Sequence, residues 1–217
     1  SDLSELGGAL QDGSSLVVAD NDLLTTLPTL PAVELARLRI DYNDLLTDLT
    51  PLTPLTGVSG DVSVRGNDAL VSTAGLQNIR SIGGDLHLDG DSLATLRFDA
   101  LEAVHGELWI GSTLSSTQLT DLTGFGALES TGYLRIVGND LLTSMDGLEQ
   151  LTTVDDDLRI THNAALADVE ALHGLTLVNG SLSIQDNPIL SLAAIDALLA
   201  AMGASVTGQQ FIYDNGN

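Results

Sequence analysis

A repeat of 22 to 26 residues runs along the chain and constrains its fold more than any other feature. Each copy carries two apolar residues separated by one residue, then a polar position three residues later that is usually asparagine, then leucines. A fixed period in this range is typical of proteins that stack one structural unit on the next. The apolar pairs are Leu16/Val18, Leu38/Ile40, Val62/Val64, Leu86/Leu88, Leu108/Ile110, Leu134/Ile136, Leu158/Ile160 and Leu182/Ile184, with Ile212 alone in a last degenerate copy.

The alternation within each pair is the period of a half-buried strand, so each repeat is predicted to begin with a short strand. Only about twenty residues separate one strand from the next, which is too short for a crossover helix with two loops in every repeat. The predicted fold class is therefore a β-solenoid, with one strand per repeat forming a parallel sheet along one face.

A single solenoid domain over residues 1–217 is the predicted organisation. Leu3, Leu6 and Leu10 lie at helical spacing and predict a short capping helix within residues 1–14. The repeats occupy residues 15–189. In residues 190–217, the Ala- and Leu-rich stretch Leu190–Met202 predicts a second helix that ends at Gly203, followed by a last strand near Gln210–Tyr213.

A column of asparagines lies five residues after the first apolar position of each pair. An inward-pointing amide can satisfy backbone groups where the chain leaves the sheet, and buried polar groups must be paired. The column therefore predicts a structural ladder rather than a catalytic site. Its members are Asn21, Asn43, Asn67, Asn139, Asn163, Asn187 and Asn215, with Asp91 and Thr113 as substitutes.

A second column consists of glycines two residues before the strand pairs. Glycine has no Cβ and adopts positive φ readily, so we expect these residues to turn the chain back onto the sheet in that conformation. The column contains Gly60, Gly84, Gly106, Gly132, Gly180 and Gly208, and Asp156 takes the place of glycine in one copy.

The charge and the motifs argue against several function classes. The net charge is −23, from 30 acidic residues against 7 arginines and no lysine, which disfavours nucleic acids and anionic membranes as partners. No cysteine is present for disulfides or thiolate ligands, and no apolar run is long enough to insert into a membrane. No catalytic or cofactor motif is found, so we expect no enzyme, no catalytic residues, no cofactor and no metal site.

The pattern G-x-L-x-I-x-x-N-x-x-L-x-x-L occurs from Gly132 to Met145 and recurs from Gly180 to Leu190. It resembles the receptor L-domain family, whose members are relatives of leucine-rich repeat proteins, and the resemblance extends from about Leu16 to Asn215. It implies a right-handed β-solenoid in an extracellular or cell-surface protein that uses its sheet face for ligands. The chain departs from the animal receptor lobes in lacking cysteine, and its composition resembles that of bacterial secreted or surface proteins.

The residue between the two members of each apolar pair is predicted to point outward, and we call these positions the outer column. Five of the seven arginines and the only tryptophan fall on this outer sheet face. Flanking acids can neutralise them as exposed ion pairs, or the cluster can bind a ligand, and the sequence leaves both interpretations open. The outer column is Val17, Arg39, Ser63, His87, Trp109, Arg135, Arg159, Ser183 and Phe211.

Two function hypotheses follow. The first is a non-enzymatic recognition or adhesion module that binds a protein or glycan on the outer sheet face, with the candidate ligand-binding residues His87, Trp109, Tyr133, Arg135, Arg159, Arg39 and Arg65. The alternative is a structural spacer or stalk without a specific ligand. A calcium-stabilised form of this alternative would use the carboxylates that follow the asparagine column, which are Asp22, Asp44, Asp68 and Asp140.

Overall fold

The computed structural model describes residues 10–89, 92–112, 117–203 and 206–216, which are called the described residues below. They form a mostly parallel sheet of fourteen strands and a single α-helix. In chain order the strands are β1 (Ser15–Ala19), β2 (Glu34–Leu35), β3 (Arg37–Asp41), β4 (Gly57–Val58), β5 (Val62–Arg65), β6 (Ser81–Ile82), β7 (Leu86–Asp89), β8 (Ala103–Ile110), β9 (Ser130–Val137), β10 (Thr153–Val154), β11 (Leu158–Thr161), β12 (Leu177–Val178), β13 (Leu182–Gln185) and β14 (Gln210–Tyr213).

Nine strands form one row in the order β1-β3-β5-β7-β8-β9-β11-β13-β14, so successive repeats are neighbours in space. The two-residue strands form a second row together with the two long strands, in the order β2-β4-β6-β8-β9-β10-β12. The long strands β8 and β9 belong to both rows, and their register shifts between Val104 and Glu107. The predicted parallel sheet with one main strand per repeat is therefore confirmed.

The core follows from the apolar pairs. Both members of each pair from Leu16/Val18 to Leu182/Ile184 are buried, and they pack with the leucines that follow the asparagines in one continuous cluster. Phe98 and Phe125 stack inside it, with ring centroids 5.3 Å apart and planes 10° from parallel. The main strands from β1 to β13 thus contribute one buried face each and leave the alternate side chains outside, whereas in β14 only Ile212 is partly buried.

At the C-terminal end, helix α1 spans Leu192–Met202, two residues shorter at its start than predicted. The Ser191 side chain accepts a hydrogen bond from the Ala194 amide and caps the helix, and Gly203 ends it at φ +60°. Strand β14 occupies the predicted Gln210–Tyr213.

The predicted N-terminal capping helix falls largely outside the described residues, which begin at residue 10. Within residues 10–14 the chain forms a turn and no helix, and the Gln11 amide hydrogen-bonds the Ser14 hydroxyl at 3.0 Å. In this turn φ at Gly13 is +79°, and the capping helix predicted within residues 1–14 stays a prediction.

The conformation predicted for the glycine column was also wrong, since none of its six members has a positive φ. They are glycines because neighbouring repeats approach too closely for a Cβ. A Cβ on Gly132 would lie 2.6 Å from the carbonyl oxygens of both His105 and Gly106, and one on Gly208 would lie 2.6 Å from the carbonyl carbon of Gly180. The column is thus a line of backbone-to-backbone packing.

Positive φ is found instead at the residue just before the asparagine column. This position takes φ between +55° and +68° in seven repeats, and only two of the seven residues are glycine. The left-handed conformation ends the strand and turns the next residue, the asparagine, inward. The seven residues are Asp20, Tyr42, Gly66, Gly138, His162, Asp186 and Asp214.

Candidate functional site

The outer column lies in register along the whole row of main strands. Paired Cα positions run without a break from Val17 to Arg39, Ser63, His87, Trp109, Arg135, Arg159, Ser183 and Phe211. Each member from Val17 to Ser183 lies between two buried apolar residues of its own strand, so its side chain projects from the opposite face of the sheet. The sheet thereby places His87, Trp109, Arg135 and Arg159 on four successive strands.

Three of these side chains form a continuous stack. The rings of His87 and Trp109 meet edge to face, with centroids 5.3 Å apart and planes at 73°. On the other side of the indole, the guanidinium carbon of Arg135 lies 4.5 Å from the ring centroid. Both arrangements are favourable, because the aromatic face carries partial negative charge.

Glu107 completes this stack, although the sequence pattern singled it out only as one of several flanking acids. Its Oε2 lies 3.5 Å from His87 Nε2, and its Oε1 lies 3.5 Å from Arg135 Nη1. The carboxylate reaches both because Glu107 pairs in register with Tyr133, one column to the side of Trp109. We call His87, Glu107, Trp109 and Arg135 the indole cluster.

The indole cluster is half-buried, and its charged groups face one another. One side-chain atom in each of its members, including Trp109 Nε1 and Arg135 Nε, is almost inaccessible to solvent and makes no hydrogen bond within the described residues. The charge of Arg135 is balanced by Glu107 and its flat face is covered by Trp109. The guanidinium of Arg135 is therefore engaged within the cluster, while one polar atom of each member has no hydrogen bond there.

At the N-terminal end of the sheet, the arginines are neutralised by their own neighbours. Arg39 pairs with the buried carboxylate of Asp41, and Arg65 Nε donates to Asp89 Oδ1 at 3.0 Å. In both cases the hydrogen bond to the carboxylate raises the arginine pKa, so the ion pairs persist throughout the usual pH range. These two predicted ligand-binding residues line a cavity of about 210 Å³ together with His87, where adjacent acids balance their charges.

Toward the C-terminal end, the outer face forms an open groove of about 310 Å³. Tyr133 borders it on one side and Phe211 and Tyr213 border it on the other, while Arg159 and Ser183 lie between them. Phe211 and Tyr213 are 41% and 51% exposed, although both are large aromatic residues. We call this the Arg159 groove, and its remaining lining residues are Asp157, Leu158, Ser181 and Gln185.

Arg159 differs from every other arginine of the chain. All seven arginines are among the described residues, and six of them have a carboxylate within 4.0 Å. Arg159 has no ion pair in the described part of the chain, and its Nε is covered by protein without a hydrogen bond. In a molecule with 30 acidic residues, this guanidinium is left available.

The seven asparagines form two hydrogen-bonded series inside the turns. The Asn43 amide donates to Asn67 Oδ1 at 3.1 Å and to the Val18 carbonyl at 3.0 Å, so each side chain ties its repeat to the next and to the previous strand. The same bonds link Asn139 to Asn163 and Asn163 to Asn187 at 3.3 and 3.2 Å. The side chains from Asn43 to Asn187 are fully buried, and these bonds connect protein to protein.

Between the two series, the predicted substitutes Asp91 and Thr113 lie outside the described residues. The buried Thr117 occupies the adjacent part of the second series and donates to Asn139 Oδ1 at 2.8 Å. The asparagine spacing did not single out Thr117, because this residue lies nine residues after Leu108, the first apolar position of its repeat, and not five.

Within the described residues, no group of three or more His, Cys, Asp or Glu side chains is placed to hold a metal ion. The histidines are dispersed: His87 belongs to the indole cluster, His105 Nδ1 lies 3.2 Å from the Ile82 carbonyl, and His162 lies 3.4 Å from Asp186. In the same described part of the chain, no helix has the length and apolar character needed to cross a bilayer.

Comparisons of the chain with family models, with curated proteins and with solved structures find no match.

Proposed function

We propose that the protein is a non-enzymatic recognition module of the receptor L-domain type, a right-handed β-solenoid that binds a protein or glycan on the outer face of its sheet. The extracellular space or a cell surface is the location that fits this proposal. The fold and location are drawn from the repeat pattern and its resemblance, and the parallel sheet of successive repeats is compatible with them.

The observation that carries the proposal is the composition of the outer column. Aromatic rings and guanidinium groups, which are the side chains favoured at binding hot spots, lie on neighbouring strands of one face. They lie on regular strands packed over a continuous core, which holds them in fixed positions before any ligand arrives.

A binding screen with outer-face variants tests the proposal. The probes are immobilised acidic and neutral polysaccharides and a phage-displayed peptide library, and the variants are Trp109→Ala, Arg159→Gln and the control Arg97→Gln. Arg97 pairs with Asp99 outside the outer column, so its variant removes one charge and leaves the outer face intact. We expect at least one probe to bind the parent and the control but to lose affinity for an outer-face variant.

Two results would contradict the proposal: no binder among either the polysaccharides or the displayed peptides, or binders whose affinity is the same for all three variants. Circular dichroism of each variant verifies that it is folded, so that a loss of binding reports on the surface.

A structural spacer or stalk is the second candidate function. It is favoured by the two asparagine series and by the ion pairs that neutralise six of the seven arginines. Polar groups that already pair within the chain need no partner molecule to stabilise them. For its calcium-stabilised form, thermal melting with a chelator and with added calcium is decisive. A melting temperature that is the same in both conditions excludes specific calcium stabilisation.

A further inference from the structure

We propose that the Arg159 groove binds a uronic acid unit of an acidic polysaccharide, with the sugar carboxylate on Arg159 and the pyranose ring against the bordering aromatic side chains. This inference rests on the proposed recognition function and assigns it a ligand class and a location. It moves the binding site from the indole cluster to the strands β9, β11, β13 and β14.

The first argument is charge. Arg159 is the one arginine that no carboxylate neutralises within the described residues, and its planar guanidinium can bind a carboxylate through two parallel hydrogen bonds. Its neighbour in the outer column, Arg135, is already balanced by Glu107. The groove thus offers a single free positive charge, which matches a ligand with one carboxylate per binding unit.

The second argument is the polar lining around that charge. The side chains of Ser183 and Gln185 make no hydrogen bond within the described residues, and Ser181 Oγ accepts only from the Gln209 amide at 3.3 Å. Asp157 uses its Oδ1 to accept from the Ser181 amide at 2.6 Å, which leaves Oδ2 as an acceptor. Hydroxyl, amide and carboxylate groups of this kind pair with the several hydroxyl groups of a sugar.

The third argument is the shape and the aromatic border. A pyranose ring has apolar C–H faces, and the half-buried Tyr133 on one side and the exposed Phe211 and Tyr213 on the other provide rings to cover them. The groove volume of about 310 Å³ lies at the lower end of the range for small-ligand sites.

The same features favour a sugar acid over an acidic peptide. Both kinds of ligand carry one carboxylate per unit, so charge alone does not distinguish them. An acidic peptide has no hydroxyl groups to pair with Ser181, Ser183 and Gln185 in the groove. A uronic acid carries one charge and several hydroxyl groups, and the groove supplies partners for both.

Isothermal titration calorimetry with defined probes tests this inference. The probes are short oligomers of galacturonic, glucuronic and mannuronic acid, the same oligomers with their carboxyl groups reduced to alcohols, and a polyglutamate peptide of similar length. We expect the parent to bind at least one uronic acid oligomer, and the reduced oligomer and the peptide to bind at least about tenfold more weakly.

The variants separate the roles of charge and rings. Arg159→Gln should lower the affinity for the uronic acid oligomer at least about tenfold, to the affinity found for the reduced oligomer, because only the charged contact is lost. Tyr213→Ser should lower the affinity for both oligomers by a similar factor, and the control Arg97→Gln should leave both affinities unchanged.

The inference is overturned if no uronic acid oligomer binds, if the reduced oligomer or the peptide binds as tightly as the acid, or if Arg159→Gln has no effect. Failure here differs from failure of the proposed function. A ligand from the broader screen that depends on Trp109 but not on Arg159 would refute the groove assignment and leave the recognition function supported, whereas binders insensitive to all outer-face variants would refute both.

Discussion

Arg135 lies over the indole ring of Trp109 with its guanidinium carbon 4.5 Å from the ring centroid, and it faces the Glu107 carboxylate at 3.5 Å. A cation held between a π face and a carboxylate is a stable surface element. It explains how Arg135 and Arg159, two like charges, can occupy neighbouring positions in one column. One charge is neutralised locally and the other is left for the groove.

Because Trp109 is the only tryptophan, its fluorescence reports directly on this contact. Replacing the guanidinium by an uncharged side chain in Arg135→Met should shift the emission spectrum and lower the free energy of unfolding by about 0.5–1 kcal/mol. Emission spectra and urea titrations check this, with Arg97→Met as the matched control. Identical spectra for the parent and Arg135→Met would contradict the contact.

The hydrogen bonds of the asparagine series predict that the loss of stability on replacing an asparagine depends on its position in the series. Asn163→Ala should reduce the free energy of unfolding by about 2–3 kcal/mol, because it leaves the buried Asn139 amide and the Ile136 carbonyl without these partners. Asn21→Ala at the edge of the series should cost less, since Asn21 is only half-buried. Urea denaturation of both variants checks the order, and equal losses would argue against the ladder as the cause.

Close packing at the glycine column predicts a clear contrast between two glycines. Gly132→Ala should destabilise the protein by about 1–3 kcal/mol, since its Cβ would lie 2.6 Å from two backbone oxygens that cannot move independently. Gly126→Ala is the control, because there the nearest atom, the Thr123 carbonyl oxygen, lies 3.6 Å away. Thermal melting of the two variants measures the difference. If Gly132→Ala melts at the parental temperature, the repeats are not in contact there.

The turn at Asp121 predicts a pH dependence. Asp121 Oδ1 accepts hydrogen bonds from the Thr123 hydroxyl at 2.7 Å and from the Thr123 amide at 3.0 Å, and the hydroxyl bond in particular lowers the pKa of this carboxyl below its ordinary value of 3.8. A lowered pKa in the folded state means that the charged form stabilises folding above the unfolded pKa. This contribution is lost as the pH falls through the folded pKa.

Asp121→Asn should therefore be less stable than the parent at pH 7, and the difference should shrink as the pH falls below about 3.8. Urea titrations at neutral and acid pH check this, with the exposed Asp22→Asn as the control. A difference that is constant with pH would show that the charge of Asp121 has no part in the turn.

The features that recur in every repeat could be predicted from the sequence. The features that depend on how two neighbouring repeats pack against each other could not. The apolar pairs fixed the parallel register, because a shift of one residue would expose Leu134 and Ile136 and bury Arg135. The glycine column was found, but its cause was misassigned, since the closeness of Gly132 to Gly106 depends on how two repeats meet.

The site was predicted in part for the same reason. The outer column follows from alternation alone, so His87, Trp109, Arg135 and Arg159 could be placed on one face. Which arginine is neutralised depends on side-chain reach across strands, and the sequence could not distinguish Arg135 beside Glu107 from the unpaired Arg159. Tyr213 joined the groove only through the pairing of β14 with β13.

The glycine contacts also restrict how such a gene can change its length. Gly132 lies against Gly106, and Gly106 against Gly84, so an insertion within a strand, between its glycine and the polar position that follows, would displace the next junction. Duplication or loss of a complete period recreates the same junction at each end and keeps all strands facing the same way. Descendants of this chain should therefore differ in size by whole periods, with smaller variations confined to the segments between the asparagine and the next glycine.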